Sequence, residues 1–357
     1  MSHADTQISF VIPVYNGEKL IERMIASIQE LRPEDVSYEI VIVDDGSSDR
    51  TYSVCENAAK GDESIKLIHT ENRGQGAARN TGVAEASGKY IFFADADDKV
   101  IAEGVLKLFE KAEETNADIC AGTYIRTETG KDPFTALNGL NSGYITRGSS
   151  LYDKIKTESA FGYVWNKLFR RGFLYENGID FDENKKVFME DQLYNLKAFS
   201  CDPEYYFLNI PVYEYIAEGA STTRSEMPDI AQRSVRMLDD YITYLNKNGR
   251  LKENADLYVP LALRMTAWAG YKTAVLKNSS KQKVKEAFEA FTENAAYGQM
   301  LKDASNREQL SRIPSFAQRV FFGWCFNMLA NGRTGALASL FVLGKAFLKA
   351  AVDKNVR

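Results

Sequence analysis

Four short apolar runs, Ile8–Val14, Glu39–Val43, Ile65–His69 and Tyr90–Ala94, recur about every 25–30 residues, and no other feature limits the fold as sharply. Between them lie stretches of helical periodicity. Gly17–Leu31 repeats Leu20, Met24, Ile28 and Leu31 at helical spacing, and Asp49–Lys60 and Gln75–Ala86 occupy the next two gaps. Strands alternating with helices predict βαβ units and a doubly wound, mostly parallel α/β sheet. Ligands of such sheets bind beyond the carboxyl ends of the strands. The polar clusters stand at those ends: Tyr15-Asn16-Gly17, Asp44-Asp45-Gly46-Ser47, Asn72-Arg73-Gly74-Gln75-Gly76 and Asp95-Ala96-Asp97-Asp98.

The last cluster is the most demanding. A buried strand that ends in three carboxylates within four residues sets like charges against one another. Strand alternation places Asp95 and Asp97 on one side, where a divalent cation would hold both ionised. Hard oxygen ligands select Mg²⁺ or Mn²⁺, and Mg²⁺ favours few carboxylates plus substrate phosphates, so D-x-D here suggests a metal–diphosphate site. Taken alone, the pattern equally describes an acidic turn that closes the strand. At the second cluster Asp45 reads as a turn residue, Asp49 as a helix N-cap, and Asp44 as an acceptor for a base N–H or a ribose. Gly74-Gln75-Gly76 begins like a dinucleotide fingerprint but reaches Arg79 at the sixth position, which suits a nucleotide or phosphate better than a Rossmann dehydrogenase. Tyr15 is either a base-stacking residue or an ordinary rim tyrosine.

Composition narrows the classes. The 357 residues, 45% hydrophobic and 26% charged, allow one large globular domain with an appendage. A net charge of −5 disfavours nucleic acid as a partner. Met1–Thr6 is polar, so no signal peptide is expected, and no apolar run reaches the roughly 20 residues of a spanning helix. A cytoplasmic location follows, with Cys55, Cys120, Cys201 and Cys325 as free thiols. Histidine occurs only at His3 and His69, which leaves acid–base chemistry to carboxylates.

Taken together, Phe10–Asn16, Val43–Asp49, Asn72–Asn80 and Ala94–Asp98 resemble the family 2 glycosyltransferases, and the resemblance extends from Ile8 to about Arg224. It implies the GT-A fold and a nucleotide-diphosphate sugar donor, a UDP-sugar being favoured. Nucleotide contacts would fall to Pro13, Tyr15, Asn16, Asp44, Asn72, Gly74, Arg79, Asp95 and Ala96, and Mn²⁺ or Mg²⁺ to Asp97 and Asp95. Tyr163–Arg171 is similar to the family's W-N-K-L-F segment, which implies donor or acceptor contacts at Trp165, Asn166 and Lys167; a core tryptophan flanked by surface charge fits those residues as well. Glu190-Asp191 resembles the family's E-D pair. Asp191 would then be the base of an inverting transfer to an acceptor hydroxyl, with Glu190 holding acceptor or loop. A helix N-terminus there would keep the Asp191 pKa low. Tyr213–Arg224 is similar to the segment that closes the catalytic region, departing from it at Ile216. The implied setting is cell-surface polysaccharide or glycolipid synthesis on a saccharide or lipid-linked acceptor. The competing reading is an inactive nucleotide-sugar or carbohydrate binder on the same fold.

Beyond the acidic cluster the sequence predicts a helix over Val100–Asn116, a strand over Asp118–Thr127 and a loop over Glu128–Ser142. The expected division is a catalytic domain over 1–225, its nucleotide half 7–99 and its acceptor half 100–225, followed by a helical region over 226–357. Helices are expected at Asp229–Lys247, Asn254–Leu276 and Lys281–Asn294. Between Ile313 and Val352 the chain has Arg319, Arg333, Lys345 and Lys349 but no acid, with Phe321, Phe322, Trp324, Phe326, Phe341 and Phe347 among them. Basic, aromatic helices of this kind either lie in a membrane interface or cap a domain.

Overall fold

The computed structural model describes residues 6–32, 34–137, 139–155, 162–182, 189–217, 227–303, 306, 308–313 and 315–344. Phe188, Arg224, Lys345, Phe347 and Lys349 lie outside them. The chain divides into two compact units, the first built from 1–152, 160–185 and 190–221, the second from what remains.

The first unit is a mixed α/β sandwich. Its first part comprises β1 (Ile8–Val14), α1 (Ile21–Ile28), β2 (Tyr38–Asp44), α2 (Thr51–Ala59), β3 (Ile65–His69), α3 (Gln75–Glu85) and β4 (Tyr90–Phe93). There follow β5 (Lys99–Val100), α4 (Ala102–Thr115), β6 (Ile119–Glu128), β7 (Phe134–Ala136), β8 (Gly143–Tyr144), α5 (Ser150–Ile155), β9 (Lys167–Arg170), α6 (Arg171–Glu176), α7 (Glu190–Phe199) and β10 (Tyr205–Ala217). Among the described residues the sheet runs β3-β2-β1-β4-β9-β6-β10-β5, with β7 beside β6 and β8 beside β10. The pairs β3–β2, β2–β1, β1–β4 and β6–β10 are parallel, while β9 lies antiparallel to both β4 and β6.

Strand order reverses at β1, with β2 and β3 to one side and β4 to the other, which makes its carboxyl end the place where a crevice opens. Pro13 fits this central strand for a specific reason. The Val11 carbonyl accepts from Ala94 N–H on the β4 side. Pro13 faces that same side two residues later, past Val11↔Phe93, the last β1–β4 pair, so its missing N–H removes no ladder bond. The seven residues of β1 are all buried, as parallel strands covered on both faces require.

The stretch expected as a loop, Glu128–Ser142, contains β7, which pairs Tyr124↔Ala136 and Arg126↔Phe134 with β6. Its Gly-, Asn- and Thr-rich composition hid a three-residue edge strand. Helix and strand limits otherwise follow the periodicity to within a few residues.

The second unit contains α8 (Ile230–Lys247), α9 (Ala255–Val275), α10 (Lys281–Thr292), α11 (Ala295–Lys302), α12 (Phe316–Ala330) and α13 (Thr334–Leu343). Its core includes Phe288 and Phe341, edge-on at 5.1 Å, and Phe322, Phe326 and Leu329 are buried as well. Phe316, Val320 and Trp324 form an exposed stripe on α12, and Leu340 and Leu343 are exposed on α13. The tail's aromatics are therefore divided between core and surface. No helix of the described residues is long and apolar enough to cross a membrane.

Close approach of α4 to β10 depends on Gly104, where a Cβ would stand 2.0 Å from the Pro211 carbonyl oxygen and 3.0 Å from Val212 Cα. Both obstacles are backbone and cannot rotate away. We expect Gly104→Ala to lower stability by about 1–3 kcal/mol in urea unfolding, as overpacked sites do, while Glu110→Ala on the exposed side of α4 leaves the midpoint nearly unchanged. Equal midpoints for the two variants would show that the contact does not set the spacing.

Candidate active site

The β1 and β2 ends are knitted together first. Asn16 adopts a left-handed φ of 51°. Its Oδ1 accepts from Ser48 N–H at 2.9 Å, and its own N–H donates to Ser47 Oγ at 2.9 Å. Tyr15 projects beside it, 54% exposed. Asp44, expected to meet a base or ribose, is fully enclosed: Oδ2 lies 2.7 Å from His69 Nδ1, and Oδ1 accepts from Ser47 N–H at 3.2 Å. His69 thus has a partner 25 residues back in the chain. Asp45 is buried too and accepts from Arg73 N–H (2.7 Å) and Gly74 N–H (2.8 Å), holding the glycine loop against β2. Gly74 sits at φ 99°, and Asn72 is exposed beside it. Asp49 accepts from Thr51 N–H at 2.9 Å at the head of α2.

The acidic cluster is not an extension of β4. The strand ends at Phe93, and Asp95–Asp98 form a turn, so strand alternation does not set their directions. Nor do three like charges stand together. Asp95 Oδ1 accepts from Arg79 at 2.8 Å and from Gln75 Nε2 at 3.0 Å, while its N–H donates to the Tyr213 hydroxyl at 2.9 Å. Asp98 is buried and accepts from Ile216 N–H at 2.8 Å. Burial first, and the charges of Asp95 and Asp97 after it, push its pKa up to about 8 against those hydrogen bonds. Asp97 alone is exposed, and its carbonyl accepts from Arg23. Pairing of Asp95 with Arg79 and burial of Asp98 thus relieve part of the repulsion.

Arg79 was expected to face a nucleotide or phosphate. It is only 1% exposed, and its second terminal nitrogen donates to Asp191 Oδ1 at 2.6 Å. The guanidinium lies 5.1 Å from the Phe181 ring centroid. It stands on α3 among Gly76, Ala77, Ala78 and Gly82, a small-residue face on which a charge has to find buried acids. That anomaly was the available signal for the pairing. Gln75, Phe181 and Tyr213 carried no such signal.

Asp191 and Glu190 open α7, directly after Met189 at φ 62°. The Asp191 side chain is 21% exposed. The helix terminus was expected to keep its pKa low; instead burial raises it above the ordinary carboxylate range. Arg79 opposes that rise, and Glu190 and Asp95 add to it. Asn195 Nδ2 donates both to the Asp191 carbonyl (2.9 Å) and to the Gly162 carbonyl (2.8 Å), fixing the first turn to the strand-leading segment before β9.

Trp165, Asn166 and Lys167 do not face a sugar. Trp165 is 3% exposed and the other two are fully buried. Trp165 stacks between aromatic rings, Asn166 Nδ2 donates to the Gly122 carbonyl at 2.8 Å, and Lys167 Nζ donates to the Tyr163 carbonyl and to Asn166 Oδ1. Burial pushes the Lys167 ammonium down to about 7. The sequence leaves core and ligand roles balanced here, and packing decides for the core.

A profile described as glycosyl transferase family 2 matches residues 9–178. The uncharacterized glycosyltransferase EpsJ of Bacillus subtilis is 30% identical over 259 residues, 71% of this chain and 74% of that protein. The chain belongs to glycosyltransferase family 2. A poly(ribitol-phosphate) beta-glucosyltransferase of Bacillus spizizenii is 30% identical over 57% of this chain and 32% of its own length. Among solved structures, S. aureus TarS 1-349 in complex with UDP superposes with a TM-score of 0.69 at 19% identity, over 95% of this chain and 92% of that one, so the GT-A fold is shared.

The protein is therefore a glycosyltransferase. Asp95 and Asp97 give this glycosyltransferase two hard oxygen donors on one turn. No larger His, Cys, Asp and Glu cluster of metal-holding geometry forms among the described residues. A pair of carboxylates suits Mg²⁺ or Mn²⁺, which complete their shells with water and substrate phosphate.

The buried Asp98 yields a test of sign. A carboxyl whose folded pKa is raised contributes stability fully below its unfolded pKa near 4, and loses it as pH rises through about 8. Asn at 98 keeps an acceptor for Ile216 N–H without a titrating charge. In EDTA, Asp98→Asn should melt close to wild type at pH 5 and above it at pH 9. A constant difference between the two across that range would place the raised pKa elsewhere.

Proposed function

We propose that this glycosyltransferase moves a sugar from a UDP-sugar to an acceptor hydroxyl with inversion, dependent on Mn²⁺ or Mg²⁺, in the synthesis of a cell-surface polysaccharide or glycolipid. One observation carries the reading: a single buried guanidinium, Arg79, joins the acidic turn to the carboxylate at the head of α7. That pairing supports the reading, because it holds the carboxylates assigned to metal and base in one cluster. Asp97 and the free side of Asp95 are the groups that would hold the metal, which supplies positive charge for the leaving diphosphate. Exposed Tyr15, Asn16 and Asn72, with Gly74 and Ala96, line the nucleotide's place, while buried Pro13, Asp44 and Arg79 support it. Asp191 removes the acceptor proton as the acceptor oxygen bonds to the anomeric carbon, and the bond from that carbon to the diphosphate oxygen breaks on the opposite side. A raised pKa suits Asp191 to this task near neutral pH. The same carboxylate disfavours the inactive-binder reading, because binding alone needs no base.

Asp191→Asn should bind UDP as wild type does in calorimetry yet lose roughly 10²–10⁴-fold in transfer rate, and EDTA or Asp97→Asn should weaken UDP binding itself. Near-normal transfer by Asp191→Asn would move the base elsewhere; unchanged UDP affinity in EDTA would remove the metal.

A peripheral position at the inner face of the plasma membrane, near a lipid-linked acceptor, is also proposed. It is supported by the exposed Phe316, Val320 and Trp324 on a helix beside Arg319, in a stretch without acids. Basic residues near anionic headgroups add about 1 kcal/mol each. The protein should float with anionic but not with neutral liposomes, and Trp324→Asp should abolish flotation; failure of the wild type to float refutes the contact.

A further inference from the structure

We propose that Lys167 and Asn195 are positioning residues of the transfer: together they brace the head of α7 against the sheet and so aim the Asp191 carboxylate. The assignment rests on the reading above that Asp191 is the base. Two successive main-chain carbonyls, those of Gly162 and Tyr163, are each held by a buried side chain from a different element. Asn195 Nδ2, from α7, donates to the Gly162 carbonyl at 2.8 Å, and Lys167 Nζ, from β9, donates to the Tyr163 carbonyl. The Asn195 amide also reaches back one turn to the Asp191 carbonyl at 2.9 Å. Segment 162–163 is therefore a bracket between the strand and the first turn that carries the base.

The strand end of this brace is firmly seated. Lys167 Nζ also donates to Asn166 Oδ1 at 2.8 Å. Asn166 in turn is tied both ways to β6: its Nδ2 donates to the Gly122 carbonyl at 2.8 Å, and Gly122 N–H donates to its carbonyl at 2.9 Å. β9 lies between β4 and β6 and antiparallel to both, with Leu168 opposite Phe92. The amino end of β9, where Lys167 stands, thus adjoins the carboxyl end of β4, from which the acidic turn departs. Arg79 grips one carboxylate oxygen of Asp191, and the brace holds the carbonyl of the same residue. Two holds on one residue fix both its place and the direction of its carboxylate, and a base misplaced by about 1 Å can lose 10²-fold in rate.

These side chains are poor choices for packing alone. Asparagine is a weak helix former, yet Asn195 stands within α7, 2% exposed, and its Oδ1 has no hydrogen-bond partner among the described residues. Lys167 is fully buried, where an ammonium is costly and an apolar chain of similar length would not be. Asp191 is the charge that works against the fall in the Lys167 pKa, which places the amine in the field of the base. The W-N-K segment thus serves the chemistry from within the core.

The test follows UDP release from UDP-glucose, UDP-galactose and UDP-N-acetylglucosamine in Mn²⁺, beside UDP binding by calorimetry. Lys167→Met and Asn195→Leu should lower kcat roughly 10–100-fold and leave KM and UDP affinity as in wild type. Ile28→Val, at a buried site on α1 away from the brace, should lower stability and keep kcat. Should one brace variant not fold, the other carries the comparison. Unchanged kcat in the brace variants, loss of kcat and UDP affinity together, or equal loss in Ile28→Val would each overturn the proposal. An inactive Asp191→Asn beside active brace variants leaves the base in place and removes only the brace, whereas an active Asp191→Asn removes the base itself. Wild type that releases UDP from none of these donors sinks the UDP-sugar reading. Hydrogen exchange then decides for the brace: faster exchange of the first turn of α7 in Asn195→Leu, with β1 and β2 unchanged, supports it, and equal rates overturn it.

Discussion

A guanidinium held away from water between two carboxylates is the constraint on which the site depends. Arg79 cannot lose its proton, and breaking a buried pair by removing one partner typically costs about 3–5 kcal/mol. Its partners come from distant parts of the chain, Asp95 after β4 and Asp191 on α7. Each carboxylate is where it is because the arginine requires it. In return the arginine separates two negative charges that would otherwise repel across the same space. Packing alone could not fix these groups so closely, since apolar contacts tolerate sliding and a two-pronged ion pair does not.

The same arrangement explains how an acidic turn persists beside the buried arginine. Asp95 is paired, Asp98 is buried and favours its neutral form near neutral pH, and Asp97 faces solvent. The turn is also clamped to β10 twice, through Tyr213 and Ile216. The position of the turn's carboxylates is thus set partly by residues that follow them by 118 places.

What the sequence disclosed was local. Apolar runs and helical spacing located β1 to β4 and the helices between them, because burial imposes its period directly on neighbouring residues. The polar strand ends were legible for the same reason, being the places where that period stops. Partnerships were not legible. Asp44 and His69, Arg79 and Asp191, and Asp95 and Tyr213 meet only through the sheet order, and no local pattern encodes a contact across 25, 112 or 118 residues. Trp165 shows the limit in one residue. An aromatic beside an amide and an amine has the composition of a sugar contact, yet Asn166 and Lys167 turn their polar atoms onto backbone carbonyls and onto each other.

These buried polar groups point to a division of labour across the catalytic unit. Side chains with the strongest chemistry, Arg79, Lys167, Asp44 and Asp45, are enclosed and bonded to protein partners, so they fix geometry. Side chains left at the rim, Tyr15, Asn16, Asn72 and Asp97, are those a ligand can reach. A transferase needs both classes, because a nucleophile must be held within a fraction of an ångström while two different substrates enter and leave. Asp191 belongs to neither class completely: one oxygen is held by Arg79, and a fifth of the side chain remains open. The base proposed for transfer has to be aimed by the protein and still be reached by the acceptor, and a carboxylate with two oxygens can meet both demands.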